Sequence, residues 1–165
     1  MKSEFTLDMV QVRLVKDAPL YSEEKIDTPE AAIRTIGNEL SDMDREVVAV
    51  INCKTNGIPI NACFASMGTL NYALFSPREI LKSTILSNAA SVILVHNHPS
   101  GQLTPSREDI RVTKRFEELC ELLGITFLDH VIVGGDDERY YSFSDHDMLG
   151  RSDKDMEIKL KGNKR

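Results

Sequence analysis

Three side chains carry the most chemistry in this chain: His96 and His98, one residue apart, and Asp109 downstream of them. Two imidazole nitrogens and a carboxylate oxygen are the kind of set with which a protein holds catalytic zinc, leaving the fourth position to water. The stretch between them reads His96-Asn97-His98-Pro99-Ser100-Gly101, then Pro105-Ser106, then Asp109. A lone histidine is more often a satisfied core or loop residue than a ligand. Two at this spacing, followed by Pro-Ser and an aspartate at a helix start, shift the balance toward a metal centre.

The neighbouring elements must bring the three together. Ser91-Val92-Ile93-Leu94-Val95 is a short, apolar, β-branched run and reads as a buried strand. Side chains alternate along a strand, so His96 and His98 leave its end on the same side. Pro99, Ser100 and Gly101 then turn the chain. Thr104-Pro105 reads as an N-cap followed by proline at the first helical position, with Ser106 and Asp109 on one face of that helix. Two imidazoles from a strand end and one carboxylate from the next helix can thus meet at one point. The letters His-Asn-His do not make an HNH nuclease, whose name describes scattered positions of a ββα motif.

The pattern H-x-H-x(10)-D, here His96, His98 and Asp109, resembles the JAMM metalloprotease motif of the JAB/MPN fold. The surrounding text is similar to the RadC family of bacterial JAB-domain proteins. That resemblance rests on Arg45-Glu46-Val47, Phe75-Ser76-Pro77-Arg78-Glu79-Ile80, His96 to Gly101, Pro105-Ser106, Leu128-Asp129-His130-Val131-Ile132-Val133-Gly134 and Tyr141-Ser142-Phe143. It covers roughly residues 28 to 149, with the motifs in family order.

The resemblance implies a zinc ion on His96, His98 and Asp109, and a peptide or isopeptide bond as the target. It also implies that Glu46 is the general acid/base. Read alone, Glu46 would be a solvated charge at a strand mouth. Its competitors are Glu39, on a helix face, and Glu79, which after Ser76-Pro77 complements a helix dipole. Ser106 matches the JAMM serine that steadies an oxyanion, beside a plain reading as a helix cap. His130 reads as core or as support behind the ligands, and His146, in Asp145-His146-Asp147, as part of a polar turn. Two other readings compete: a RadC-type DNA-repair-associated or DNA-processing accessory protein, and a JAB-fold binding module with little turnover. The intact set of ligands, glutamate and serine favours the hydrolase over the binding module. A zinc deaminase is disfavoured because Pro-Cys-x-x-Cys is missing. The roughly 27 residues ahead of the domain are too few for the helix-hairpin-helix unit of the full RadC pattern, which weakens a DNA-repair role.

Composition bounds the rest. With 165 residues the chain suits one domain with a sizeable core, and its 41% hydrophobic and 28% charged content is that of a soluble globular protein. A formal charge of −6 argues against tight non-specific DNA binding, which needs a basic surface. The expected partner is a protein or peptide substrate. Cys53, Cys63 and Cys120 are an odd number without CxxC spacing, which points to a reducing compartment. The polar, acidic start is no signal peptide, and no apolar run approaches the roughly 20 residues of a membrane helix. The expected location is therefore the cytoplasm.

Along the chain, residues 5–15 read as an edge strand and 18–27 as a linker. Thr28-Pro29-Glu30 opens a helix whose inner face is Ala32, Ile33, Ile36 and Leu40. Strands over 46–53 and 58–66 flank the Asn56-Gly57 hairpin turn, and a further short strand falls within 67–75. Ser76 to Glu79 reads as a capping box opening a helix to about Asn88, with Ile80, Ile85 and Ala89 inward. The helix from Pro105 turns Ile110, Phe116, Leu119, Cys120 and Leu123 inward and stops at Gly124. Strands follow over 125–134 and 139–143, separated by a turn at Gly135-Asp136-Asp137, and a short helix over 145–149. The expected class is α/β (α+β): one three-layer JAB/MPN domain, a mixed sheet with flanking helices, of cytidine deaminase-like architecture. The division is 1–27 strand and linker, 28–149 domain, and 150–165 a charged, disordered tail with a basic end.

Overall fold

The computed structural model describes residues 8–67, 76–134 and 139–150. Among these described residues, five strands form one sheet: β1 (Val47–Cys53), β2 (Pro59–Met67), β3 (Ser91–Asn97), β4 (Thr126–Val133) and β5 (Tyr140–Ser142). Three helices accompany them: α1 (Pro29–Ser41), α2 (Pro77–Leu86) and α3 (Arg107–Leu123). The strand order is β2-β1-β3-β4-β5. Only β3 and β4 run parallel, joined by the crossover through α3; the other neighbouring pairs are antiparallel.

The strands' alternation assigns the helices to faces. Val47, Ala49, Ile51, Ile93, Val95, Val131 and Val133 pack with Ala32, Ile36 and Leu40 of α1. Val48, Val50, Val92 and Leu94 pack with Ile80 and Leu81 of α2 and Phe116 and Cys120 of α3. The result is three layers, an α+β fold consistent with a JAB/MPN domain. β1 and β3 are buried along their whole length because both faces are covered. Each fully buried aliphatic or aromatic side chain contributes about 1.5–3 kcal/mol.

Capping fixes where the helices begin. Thr28 accepts the Ala31 N–H and Pro29 occupies the first turn of α1. α3 departs from expectation: its N-cap is Ser106, not Thr104. The Ser106 hydroxyl accepts the Asp109 N–H at 3.1 Å, and the Asp109 carboxylate accepts the Ser106 N–H at 2.7 Å. This reciprocal pair satisfies two otherwise orphaned donors, which a Thr104 cap without a matching acid could not do. At the other end Gly124 adopts φ 69°, as a helix stop requires.

Several other expectations need correction. Residues 8–15 form no strand and lie exposed. The capping box at α2 does not form: Ser76 makes no side-chain cap bond, and Glu79 pairs with Lys82 instead. Ile85 and Leu123 are exposed; the inner face of α2 is Ile80, Leu81, Ser83 and Thr84. Residues 145–149 make turns rather than a helix, ended by Asp147 at φ 49°. Ile26 is fully buried and donates its N–H to Gly57 O, so the folded unit begins before residue 28. The short strand placed after Met67, the 135–137 turn and the tail from residue 151 lie outside the described residues.

Candidate metal centre

The end of β3 delivers the two imidazoles. His96 is its penultimate residue and shares a face with Val92 and Leu94, toward α3. His98 follows the strand, anchored by its N–H to Val133 O at 2.8 Å. Asp109 comes from the first turn of α3, held by the capping pair with Ser106. The sequence reading placed these three together, and the fold does so. His96 Nε2 lies 2.9 Å from His98 Nε2 and 3.4 Å from Asp109 Oδ1, and His98 Nε2 lies 3.5 Å from Asp109 Oδ2. His96 and His98 are buried and Asp109 is half-buried.

The far sides of both rings are engaged. His98 Nδ1 lies 2.6 Å from Gln102 O, a group that can only accept, so Nδ1 carries a proton, which in the neutral ring leaves a lone pair at Nε2. Gln102 is brought there by a tight loop. Gly101 has φ 74°, and a Cβ on Gly134 would meet Gly101 O at 3.0 Å, so only glycine at 134 lets this loop close over the end of β4. His96 Nδ1 lies 2.7 Å from His130 Nε2, and His130 Nδ1 lies 2.6 Å from Thr113 Oγ1. The Thr113 hydroxyl donates to Asp109 O at 2.6 Å, so it accepts from His130 Nδ1–H. Followed back along this chain, His130 Nε2 accepts and His96 Nδ1 donates. His96 therefore also presents a lone pair at Nε2.

Those assignments test the fit of a metal. Two ring lone pairs 2.9 Å apart, flanked by a carboxylate, repel unless a positive charge lies among them. Ligands at the corners of a tetrahedron around zinc lie roughly 3.3 Å apart, given zinc–nitrogen distances of about 2.0–2.1 Å. The observed 2.9, 3.4 and 3.5 Å bracket that spacing. The His96-His98-Asp109 group thus fits a divalent ion.

The electrostatics show the same demand for positive charge among these groups. Burial pushes the His96 imidazole down to about 4, against the opposing pull of the Asp109 charge. Burial also disfavours protonated His98, but the Asp109 hydrogen bond, the Gln102 carbonyl and the charges of Asp109 and Glu46 outweigh it and raise its pKa. Burial would raise the Asp109 carboxyl; the His98 hydrogen bond, the His96 charge and Ser106 hold it far below the usual range instead. Buried His130 is held well below its ordinary value and stays neutral, stacked on Phe143 at 5.0 Å.

Glu46 lies half-buried, one residue before β1. Val48 pairs with His96 at the end of the antiparallel β1–β3 ladder, and Glu46, two residues before Val48, acts through its charge on the His98 ring. Glu39 is exposed on α1, and Glu79 is occupied by Lys82. Ser106 is exposed beside Asp109. His146 sits in a polar turn, its Nδ1 2.8 Å from Ser142 O, stacked on Tyr141. Sequence reasoning missed Thr113 and the Gln102 carbonyl. Thr113 was legible in part, since it lies four residues after Asp109 on the same helix face. Backbone carbonyls leave no such signal.

Among the described residues, no helix is long and apolar enough to cross a membrane. The family model for the RadC-like JAB domain matches residues 26–148. A UPF0758 protein of Rubrobacter xylanophilus is 44% identical over 124 residues, covering 75% of this chain and 53% of the relative. UPF0758 proteins of Clostridium perfringens and Actinobacillus pleuropneumoniae are 40% and 41% identical, covering 76% and 74% of this chain and 54% of each relative. The chain spans about half the length of these curated relatives. By that match and these relatives, the chain belongs to the family of RadC-like JAB domains.

Proposed function

We propose that this domain is a zinc-dependent hydrolase of JAMM type that cleaves a peptide or isopeptide bond. The observation that carries the reading is that His96 Nε2, His98 Nε2 and the Asp109 carboxylate converge within 2.9–3.5 Å of one another. Zinc held there would supply a water acidified toward neutrality and a Lewis acid for a carbonyl. Glu46, whose charge acts on His98, is the base that takes a proton and returns it to the leaving amine. Ser106 Oγ accepts the Asp109 N–H, which leaves its own proton to donate to a developing oxyanion. Thr113 and His130 hold the His96 tautomer, and Gln102 O holds that of His98.

The partner we propose is a protein or peptide rather than duplex DNA, since the chain carries a formal charge of −6. The test is a screen of purified protein, with zinc and with chelator, against peptide, isopeptide and nucleic-acid substrates. Zinc-dependent cleavage of a peptide or isopeptide bond is expected. Protein that refuses zinc at micromolar concentration, or that cuts only nucleic acid, would overturn the proposal.

A further inference from the structure

We propose that Asn97 is a positioning residue for Glu46, fixing the backbone on both sides of it; this rests on the reading of Glu46 as the base. Asn97 stands between the two histidines in sequence but opposite them in space. It shares its strand parity with Ile93 and Val95, which face α1, whereas His96 faces α3 with Val92 and Leu94. Its side chain is buried, 2% exposed, and every polar contact it makes runs to one segment. Asn97 Oδ1 accepts the Val47 N–H at 2.7 Å, and Nδ2 donates to Arg45 O at 3.0 Å and to Met43 O at 3.4 Å.

The geometry explains why an amide is used. The backbone ladder between β1 and β3 has its last pair at Val48 and His96. One step further on, the Asn97 side chain takes over, offering an acceptor to the residue after Glu46 and a donor to the residue before it. Glu46 therefore has both neighbouring peptide groups tied to the strand that carries His96 and His98. A serine or alanine at 97 is too short to span the segment, and an aspartate keeps the acceptor but turns an oxygen toward two carbonyls. A dipeptide with this much backbone fixed loses freedom that a general base would otherwise bring to its task.

The experiment uses the full chain and zinc alone. The Glu46 carboxyl carbon resonance, assigned by its loss in Glu46→Gln, is followed through zinc addition in wild type, Asn97→Ser and Asn97→Asp. Zinc affinity is measured by chelator competition, and amide exchange over residues 43–48 by mass spectrometry. The zinc-induced shift of the Glu46 resonance should shrink in Asn97→Ser, exchange should rise, and zinc affinity should stay near wild type. With a cleavable peptide, Asn97→Ser should lose kcat toward the roughly 10²–10⁴-fold of Glu46→Gln, and add little in that background. A full Glu46 shift in Asn97→Ser, or loss of zinc as severe as in His96→Ala, would overturn the proposal. A wild-type Glu46 resonance indifferent to zinc would instead sink Glu46 as base. The exchange data would then still decide the clamp, with unchanged protection in both variants counting against it. Should one variant fail to fold, the other carries the same reading.

Discussion

Two buried polar clusters share the α2–α3 side of the sheet, and they are built to opposite rules. Beneath α2, Asn52 Nδ2 donates to Asn61 Oδ1 and Ser83 Oγ, Asn61 Nδ2 donates to Ser87 Oγ, and Ser87 donates to Ser83 O. Donors meet acceptors and no charge is involved; among the described residues only Asn52 Oδ1 is left over. At the end of β3, every outer nitrogen is matched just as carefully, yet the inner nitrogens of His96 and His98 and the Asp109 carboxylate converge on one another. A buried cluster that closes on itself stabilises the fold. One that brings histidine nitrogens and a carboxylate together at this spacing could hold a metal ion.

That contrast can be broken most severely at the metal centre. Glu46→Gln should keep zinc and fold while losing about 10²–10⁴-fold in turnover, because the amide cannot take the proton. His96→Ala should lose zinc itself. Equal zinc loss in both would show that Glu46 acts as a ligand. Ser106→Ala should retain zinc and lose roughly 10²–10³-fold, as for a single oxyanion donor. Because Ser106 also caps α3, its melting temperature must be measured alongside, and a rate loss explained by unfolding would remove the serine from the mechanism.

Thr113→Val is nearly isosteric and deletes only the hydroxyl behind His130. Zinc affinity, read by chelator competition, should fall about 10–100-fold with the fold unchanged. At the other cluster, Asn52→Ala should cost about 1–3 kcal/mol in denaturant unfolding and leave zinc affinity alone. If it weakened zinc as much as Thr113→Val, the two clusters would not be separable.

The last effect concerns Asp129, buried at the β4–β5 corner, where it accepts from His130 N, Ser144 N and the Ser142 hydroxyl. Burial pushes its carboxyl up to about 6, despite those bonds, from an ordinary 3.8. A raised folded-state value means the proton is held more tightly when folded. The stability it contributes is full below about 4 and is lost as pH rises through about 6, by roughly 2–3 kcal/mol at most. Asp129→Asn can keep the two N–H bonds and donate to Ser142, so the difference in stability between it and wild type should flatten that slope. A slope unchanged between pH 4 and 6 would refute the assignment.

That His96, His98 and Asp109 meet was legible in the sequence because local rules place them. Strand alternation puts His96 and His98 on one side, and a helix start puts Asp109 within reach of them. The β1–β2 hairpin, the Thr28 cap and the Gly124 stop are likewise set by residues close in sequence. Local rules failed where two local options competed. Thr104 and Ser106 are both good caps, and the acid three residues on from Ser106 chose between them. They failed also where packing decided: Val10 and Val12 alternate like a strand but lie exposed outside the sheet, and Ile85 has the right period on the wrong face.

Only the tertiary structure decided what stands behind these three side chains. His130 reaches His96 because β3 and β4 lie side by side in parallel, and Thr113 reaches His130 because α3 crosses over that pair. Asn97 reaches Val47 because β1 runs antiparallel to β3. These partners are separated by 17 to 50 residues in the chain. Hydrogen bonds across such distances depend on strand order and register, which the packing of both sheet faces sets together, and no short window of sequence contains that information.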